Sequence, residues 1–262
     1  MDVIIRKDAA SAVKLAAKIM VDQVKSKPES VLGLATGRTM EALYAEMIAQ
    51  ADAEGVSFSK CKSFNLDEYA GLAGDNVNSY RYYMNHHLLT KIDIDLANTE
   101  VPPGIGNIPE ECAKYEQKIV DAGGIDIQLL GIGRTGHIAF NDPFSSFASR
   151  TREVVLAEGT IEQNRPLFDN PEEMPYTAVT MGVGTIMEAK KNLMLITGEE
   201  KAEIAAKFIE GPMTHMISAT ALQMHEDCIV ILDEAAASKL QEQNYCDFVF
   251  KNDPKWADYQ SI

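Results

Sequence analysis

Residues 30–53, SVLGLATGRTMEALYAEMIAQADA, contain the pattern that decides the fold class. The short apolar run at 30–34 predicts a buried strand, residues 35–39 predict a glycine-containing turn, and the apolar spacing over 40–53 predicts a helix. The same order recurs along the chain, with strands predicted at 63–66, 125–130, 192–196 and 227–232 and helices at 8–26, 78–90, 109–122 and 200–209. Strands that alternate with helices form right-handed βαβ units. We therefore expect an α/β fold, a Rossmann-like three-layer sandwich with a mostly parallel central sheet.

Length, composition and charge bound the class of protein. The chain has 262 residues, 46% of them apolar and 24% charged, and no linker or repeat divides it, so we expect one domain over 1–262. Residues 140–180 are less regular, and we expect a lid or an additional subdomain there. The formal net charge of -15 would repel nucleic acid. No apolar run approaches the ~20 residues of a membrane span, and the first residues do not resemble a signal peptide, so we expect a cytoplasmic protein without a membrane partner.

The turn at 35–39 is the first candidate for chemistry. Free N–H groups and the helix dipole at a helix N-terminus favour an anion. Gly37 permits the tight backbone and Arg38 adds a positive charge, while Thr36 and Thr39 add hydroxyl donors. The turn therefore predicts a phosphate site, although it lacks the lysine motif of P-loop proteins. An ordinary turn in which Thr39 caps the helix is the alternative.

The turn GIGRTGH at 131–137 is the second candidate. It spells GxGxxG, but Pro143 would interrupt the helix that a dinucleotide-binding turn must open, so we do not expect a nicotinamide cofactor. His137 at the end of this glycine-rich turn is suited to acid–base chemistry near neutral pH. A histidine satisfied by local hydrogen bonds is the alternative.

Two further segments place titratable side chains after predicted strands. Lys201 follows the strand at 192–196 and could contact an anion, although a solvated surface lysine is the alternative. Asp67 and Glu68 follow the strand at 63–66, and a carboxylate there can act as a general base if burial raises its pKa. An exposed acidic loop is the alternative. Because the carboxyl ends of parallel strands meet at one edge of a sheet, we expect these side chains and both turns to share one site.

Five segments carry a longer resemblance: LGLATGRT (32–39), FNLDEYAGL (64–72), GIGRTGHIAFNDPFSSFASRTR (131–152), TAVTMGVGTIMEAKKNLMLITGEEKA (177–202) and THMISATALQMH (214–225). Together they are similar to the glucosamine-6-phosphate deaminase family, in order, from about residue 30 to residue 235. The resemblance implies a phosphorylated amino sugar as substrate and a reaction that needs neither a metal nor an organic cofactor.

The resemblance also implies roles for individual residues. In that family the sugar ring is opened, a carboxylate moves a proton from C2 to C1, and the resulting imine is hydrolysed to fructose 6-phosphate and ammonia, a hydrolase and isomerase reaction. By position, Asp67 matches the C2 base and His137 matches the ring-opening group. The turn at 35–39 matches the phosphate loop, and Lys201 matches a lysine that contacts the phosphate.

Three of the predicted site residues depart from the family's pattern. Thr135 stands where Asp is usual beside the histidine, and Asp142 stands where Glu is usual; both belong to the predicted catalytic group. Because Thr135 carries no charge, we expect His137 to lack a charged partner, to have a lowered pKa and a loose orientation, and to open the ring slowly. Arg38 stands where Ser or Gly is usual, and it can clasp the phosphate bidentately or fill the pocket.

The sequence leaves three functions open. The first is a deaminase of glucosamine 6-phosphate or of a related sugar such as galactosamine 6-phosphate. The second is a sugar-phosphate-binding paralogue, weakened in catalysis by Thr135, Asp142 and Arg38. The third is a 6-phosphogluconolactonase-like hydrolase of the same fold, against which FNLDEY (64–69) and TAVTMGVGT (177–185) argue. Assembly into a homo-oligomer and allosteric control are also left open.

Overall fold

The computed structural model describes residues 1–168 and 170–262. Within these ranges the strands are β1 Asp2–Arg6, β2 Val31–Leu34, β3 Lys62–Asn65, β4 Asp67–Tyr69, β5 Thr99–Glu100, β6 Ile127–Leu130, β7 Arg152–Val155, β8 Thr177–Thr180, β9 Asn192–Ile196 and β10 Cys228–Asp233. The helices are α1 Ala9–Ser26, α2 Arg38–Glu54, α3 Tyr80–Met84, α4 Ile108–Asp121, α5 Glu158–Asn164, α6 Val183–Met187, α7 Ala202–Ile209, α8 Glu234–Ala237 and α9 Gln243–Asn252. None of these helices is both long and apolar enough to cross a membrane.

Seven strands form the central sheet, in the order β1-β10-β9-β6-β2-β3-β5, and every neighbouring pair is parallel. The predicted α/β sandwich with a mostly parallel sheet is therefore confirmed. The chain leaves β2 toward β3 and β5, returns to the other side of β2 at β6, and then continues to β9 and β10. β2 and β6 therefore flank the point where the strand order reverses, and open α/β sheets bind ligands at this point.

Two predicted helices differ in detail from the structure. α2 begins two residues earlier than the sequence indicated, because Gly37, with a φ of 118°, is its N-cap and Thr39 lies inside the first turn. The alternative in which Thr39 caps the helix is therefore wrong. The helix predicted at 78–90 is α3 followed by a π-helical turn at Asn85–Leu89.

A second sheet lies beside the first. β4, β8 and β7 pair antiparallel in that order, which places Asp67 opposite Thr180. A small apolar cluster belongs to this part of the chain, formed by Tyr69, Phe140, Leu156, Ile161, Phe168, Met174 and Ala178. Residues 140–180 are therefore more regular than the sequence indicated, since they contribute β7, α5 and β8. β8 pairs with β4, and Phe140 bonds to Asp67 at the beginning of β4.

Candidate active site

Three loops lie side by side at the carboxyl ends of β9, β6 and β2. Lys201, after β9, donates a hydrogen bond from Nζ to the carbonyl of Ile132, after β6, at 2.9 Å. The loop after β6 also reaches α2, because a Cβ added to Gly131 would lie 3.3 Å from the side chain of Met40. The structure therefore brings the turn at 35–39, the glycine-rich turn and Lys201 to one edge of the sheet.

Asp67 lies just past the carboxyl end of β3, and only 8% of its surface is exposed. The N–H of Phe140 donates to Oδ1 of Asp67 at 3.1 Å and to Oγ1 of Thr180 at 3.0 Å. Burial raises the pKa of Asp67 to about 7, although hydrogen bonds from the Thr180 side chain and from the Phe140 N–H and the nearby charge of His137 lower it. A carboxyl group that ionises near neutral pH is suited to taking up and returning a proton.

Glu68 has a different task from its neighbour. Its carboxylate accepts hydrogen bonds from the N–H groups of Tyr69, Tyr80 and Arg81, at 2.8, 2.9 and 3.0 Å. These bonds tie β4 to the beginning of α3 and occupy both carboxylate oxygens. Because Asp67 and Glu68 are both buried, the alternative of an exposed acidic loop is wrong.

The imidazole of His137 is held at one nitrogen. Its Nδ1 lies 2.8 Å from Oδ1 of Asp142 and 2.9 Å from Oγ1 of Thr135. Burial would raise the pKa of Asp142, but the hydrogen bond and charge of His137 lower it overall, so the carboxylate is ionised at neutral pH and can only accept. Nδ1 therefore carries the proton, and Nε2 is the basic nitrogen of the neutral ring. Gly133 leaves room for this ring, since an added Cβ would lie 2.1 Å from Nε2.

The expectation that His137 lacks a charged partner is wrong. Asp142 has a shorter side chain than the usual Glu, but the turn brings its carboxylate to Nδ1. The N–H of Ala157 in turn donates to Oδ2 of Asp142 at 3.0 Å and fixes the carboxylate. The expected loose orientation is therefore also wrong, because Asp142 sets the orientation of the ring and Thr135 adds an uncharged contact.

The turn that carries the histidine and its partner is fixed by a residue that the sequence analysis did not single out. Asn141 is fully buried, and its Nδ2 donates to the carbonyls of Ile138 and Met181 at 3.0 and 2.9 Å. On either side, Ala139 and Phe144 have φ values of 52° and 74°, which few non-glycine residues adopt. Such backbone strain is common where a site must be held in one geometry. The segment Asn-Asp-Pro, typical of turns, was the available signal.

The N-terminus of α2 offers an uncapped anion site. Gly37 forms no side-chain cap, so the first N–H groups of the helix, those of Arg38 and Thr39, have no intrahelical acceptors. Gly37 and Arg38 are exposed, whereas Thr36 and Thr39 are partly buried. Within the described ranges Arg38 forms no ion pair, which leaves its guanidinium available to an anion. These features support the phosphate site that the sequence predicts at this turn.

The loops after β6 and β9 each carry a cation, Arg134 and Lys201. Burial lowers the pKa of Lys201, the carboxylate of Glu200 raises it and the positive charge of Arg134 lowers it. The two cations add positive charge at these loops, where a phosphate could bind, although Glu200 offsets part of it. The sequence analysis did not single out Arg134, although a cation inside a glycine-rich turn was the available signal. Because Lys201 is partly buried and bonded to a carbonyl, it is not a freely solvated surface lysine.

A metal site or a binding cavity elsewhere in the described parts of the chain would be an alternative to this sheet edge. No group of three or more His, Cys, Asp or Glu side chains in the described ranges is arranged to hold a metal ion. A cavity of about 670 Å³ lies between α4 and β7, lined by Cys112, Glu116 and Arg150 among others. None of the predicted site residues lines that cavity; they lie instead at the sheet edge where the three loops meet.

Comparison with known proteins places these features in a family. The family model described as "Glucosamine-6-phosphate isomerases/6-phosphogluconolactonase" matches residues 6–231. The glucosamine-6-phosphate deaminase of Shewanella loihica is 49% identical over 246 residues, 94% of this chain and 92% of that protein. That of Cellvibrio japonicus is 48% identical over 259 residues, 98% of each chain.

Solved structures separate a close relative from distant ones. A monomeric glucosamine-6-phosphate deaminase is 42% identical, with a TM-score of 0.89 over 91% of this chain and 100% of that chain. A 6-phosphogluconolactonase from Trypanosoma cruzi is 22% identical, with a TM-score of 0.69 over 92% of this chain and 97% of that chain. The second similarity is of fold alone.

The raised pKa of Asp67 predicts a pH dependence of stability. The group has an ordinary pKa of 3.8 and a pKa of about 7 in the folded chain, so the folded state keeps the proton where the unfolded state loses it. The resulting stabilisation is fully present below about pH 4 and is lost as the pH rises through 7. Relative to Asp67→Asn, the wild type should lose up to roughly 1.4 kcal/mol of unfolding free energy per pH unit between pH 4 and pH 7.

Urea unfolding of both proteins at several pH values measures this difference. The exposed Asp75 provides the control, because the difference between Asp75→Asn and wild type should stay nearly constant over the same range. A difference for Asp67→Asn that is equally constant would show that Asp67 ionises in the folded chain as it does in the unfolded one.

Proposed function

Since the chain belongs to the family of glucosamine-6-phosphate isomerases and 6-phosphogluconolactonases, we propose that it converts glucosamine 6-phosphate and water into fructose 6-phosphate and ammonia. The observation that carries the proposal is Asp67, a buried carboxyl group with a pKa of about 7 at the carboxyl end of β3, bonded to the N–H of Phe140 in the segment that carries His137. Moving a proton between adjacent carbons requires one such base.

His137 opens the ring in this proposal. Because Nδ1 is committed to Asp142, Nε2 is the nitrogen that takes the proton of the anomeric hydroxyl and delivers a proton to the ring oxygen. The imidazolium formed between these transfers is stabilised by the ionised Asp142 carboxylate beside it. Thr135 limits rotation of the ring through its contact with the same nitrogen.

Asp67 acts on the opened sugar. Its carboxylate removes the C2 proton. The electron pair of that C–H bond forms the C1–C2 double bond, and the pair of the C1–O π bond moves to the oxygen, which takes a proton from the C2 ammonium group to give an enolamine. The protonated Asp67 then delivers the proton to C1, which leaves an imine at C2. Water adds to the imine carbon and ammonia departs, so the reaction combines isomerisation with a hydrolytic step. A pKa near 7 suits both halves, because the group must first accept and then donate the same proton.

The phosphate is held at the opposite end of the substrate. In this proposal the uncapped N–H groups at the start of α2 and the guanidinium of Arg38 bind the phosphate from one loop, and Lys201 binds it from the loop after β9. In the free protein the ammonium of Lys201 donates to the carbonyl of Ile132, which holds it ready at the edge of the sheet.

Two alternative functions, binding without catalysis and lactone hydrolysis, have weaker support than the deaminase. The binding-only hypothesis depended on Thr135, Asp142 and Arg38. Its argument from the histidine is weakened, because Asp142 supplies a charged partner to His137 at 2.8 Å. The lactonase hypothesis depends on structures that share the fold at 22% identity or less, whereas the deaminase structure is 42% identical. The C4 epimer of the sugar is decided by assay of galactosamine 6-phosphate beside glucosamine 6-phosphate.

The direct test is product formation. Purified protein should release ammonia and fructose 6-phosphate in equal amounts from glucosamine 6-phosphate, followed by coupled enzymatic assays of both products. Asp67→Asn should lose roughly 10²–10⁴-fold in kcat, because the amide cannot carry the proton. Glu68→Gln is the matched control: it should lower the thermal unfolding midpoint by weakening the link to α3 and change kcat less. A wild type that releases no ammonia would overturn the proposal, and one that instead opens 6-phosphogluconolactone would establish the lactonase.

Asp142 and Thr135 can be separated by paired substitutions. Asp142→Asn removes the charge that stabilises the imidazolium and permits the wrong tautomer, so kcat should fall by roughly 10²-fold or more. Thr135→Val removes one neutral hydrogen bond, which is worth about 0.5–1.5 kcal/mol, and kcat should fall by about tenfold or less. Equal losses in the two variants would show that the hydroxyl, and not the charge, governs His137.

Arg38 and Lys201 should both bind the phosphate. Removal of a charge-assisted hydrogen bond costs about 1.5–3 kcal/mol, so Arg38→Ala and Lys201→Ala should each weaken fructose 6-phosphate binding by roughly ten- to a hundredfold in titration calorimetry. Lys207→Ala is the control, since that lysine pairs with Glu203 on the exposed side of α7. Unchanged binding in either site variant would remove that residue from the phosphate site.

A further inference from the structure

A tyrosine distant in sequence holds the turn at 35–39. The hydroxyl of Tyr83, near the end of α3, donates a hydrogen bond to the carbonyl of Gly37 at 2.8 Å. The ring of Tyr83 packs on His87, with ring centroids 4.3 Å apart, in the π-helical turn that follows α3. Leu88 and Leu89 of the same turn are buried in the main core, so the tyrosine is anchored on a rigid element.

The bonded carbonyl belongs to the peptide that begins α2. Gly37 is the N-cap, with φ and ψ of 118° and 164°, and its carbonyl also accepts the N–H of Met40 at 2.9 Å. In a trans peptide the N–H of the next residue points opposite to the carbonyl. The bond from Tyr83 therefore fixes the plane in which the N–H of Arg38 points away from the helix, toward the anion site.

The beginning of the turn is held in the same manner by another tyrosine. Tyr44, fully buried in α2, donates to the carbonyl of Ala35 at 2.5 Å and accepts the N–H of Ala35 at 3.2 Å. Tyr44 thus fixes the beginning of the turn and Tyr83 its middle, at the N-cap of α2. The solvent side of Gly37 remains exposed. A glycine-containing turn would otherwise be mobile, and ordering it on binding would cost affinity.

We propose that Tyr83 is a positioning residue for the phosphate group of the substrate, acting through the main chain of Gly37 and Arg38. Its hydroxyl does not touch the phosphate; it preorganises the N–H groups that do. The inference rests on the proposed function in one respect, since it takes the anion at α2 to be the phosphate of the sugar.

The test removes one oxygen atom. Tyr83→Phe keeps the packing on His87 and loses only the bond to Gly37, so fructose 6-phosphate and inorganic phosphate should each bind about three- to tenfold more weakly in titration calorimetry. In the assay with glucosamine 6-phosphate the loss should fall on KM, with kcat changed less, because the phosphate is bound equally in ground and transition states. Tyr82→Phe makes the same change at the neighbouring exposed tyrosine and should behave as wild type.

Measuring Tyr83→Phe in the Arg38→Ala variant distinguishes an effect through the N–H of Arg38 from an effect through its guanidinium. Because Tyr83 orients the N–H of Arg38 and not its guanidinium, Tyr83→Phe should weaken binding by the same factor in wild type and in Arg38→Ala. Loss of the effect in Arg38→Ala would overturn the main-chain route.

The outcomes also separate this inference from the proposed function. A wild type that binds neither fructose 6-phosphate nor inorganic phosphate would remove both. A wild type that binds them, with Tyr83→Phe binding equally well, would overturn the role of Tyr83 and leave the proposed function intact. A loss shared by Tyr83→Phe and Tyr82→Phe would also overturn it.

Discussion

The burial of one carboxyl group, that of Asp67, is the constraint on which the site depends. A buried carboxylate is unfavourable unless hydrogen bonds and charge offset its lost hydration. Here the N–H of Phe140 and the charge of His137 offset only part of that loss, which is why the pKa stays near 7. The antiparallel pairing of β4 with β8 holds Asp67 in place, and the cluster around Tyr69 and Phe140 lies beside it. Without this second sheet Asp67 would be an ordinary exposed acid at the end of β3, fully ionised and a weak base.

The pKa values of the two carboxyl groups in the site, Asp67 and Asp142, are shifted in opposite directions. The two shifts suit the groups to different roles in the proposed reaction. Burial keeps Asp67 partly protonated near neutral pH, so it can exchange a proton with carbon. Contact with His137 keeps Asp142 ionised, so it can fix a tautomer and stabilise a cation but not donate. Groups whose environments drive their pKa values apart are a recurrent basis of acid–base catalysis. The hydroxyl of Thr135 beside the same nitrogen does not disturb this division, because it brings no charge.

The sequence could predict what depends on local pattern. Alternating apolar runs and helical spacings indicated a parallel sheet, and the rule that ligands bind at strand carboxyl ends brought the right loops together. Contacts between distant short segments could not be predicted. β4 has three residues and its partner β8 lies more than a hundred residues away, so neither had a signal of its own. The reach of Asp142 to His137 depends on a strained turn and not on side-chain length, which is why comparing Asp with Glu gave the wrong expectation.

The order of the strands also bears on the orientation of the substrate in the proposed site. Along the edge, the loops after β9, β6 and β2 carry Lys201, Arg134 and Arg38, and the next position, after β3, carries Asp67. Neighbouring strands are about 4.8 Å apart, so the cationic loops and the buried acid are separated by a distance that a six-carbon sugar phosphate spans. A substrate entering in reverse would place its phosphate against Asp67 and Asp142, where like charges repel. Because the chain has a net charge of -15, the electrostatic potential must be locally positive at the site for a phosphate to be attracted there. In the proposed site, the cations that attract the phosphate would also determine which carbon atoms of the sugar reach Asp67.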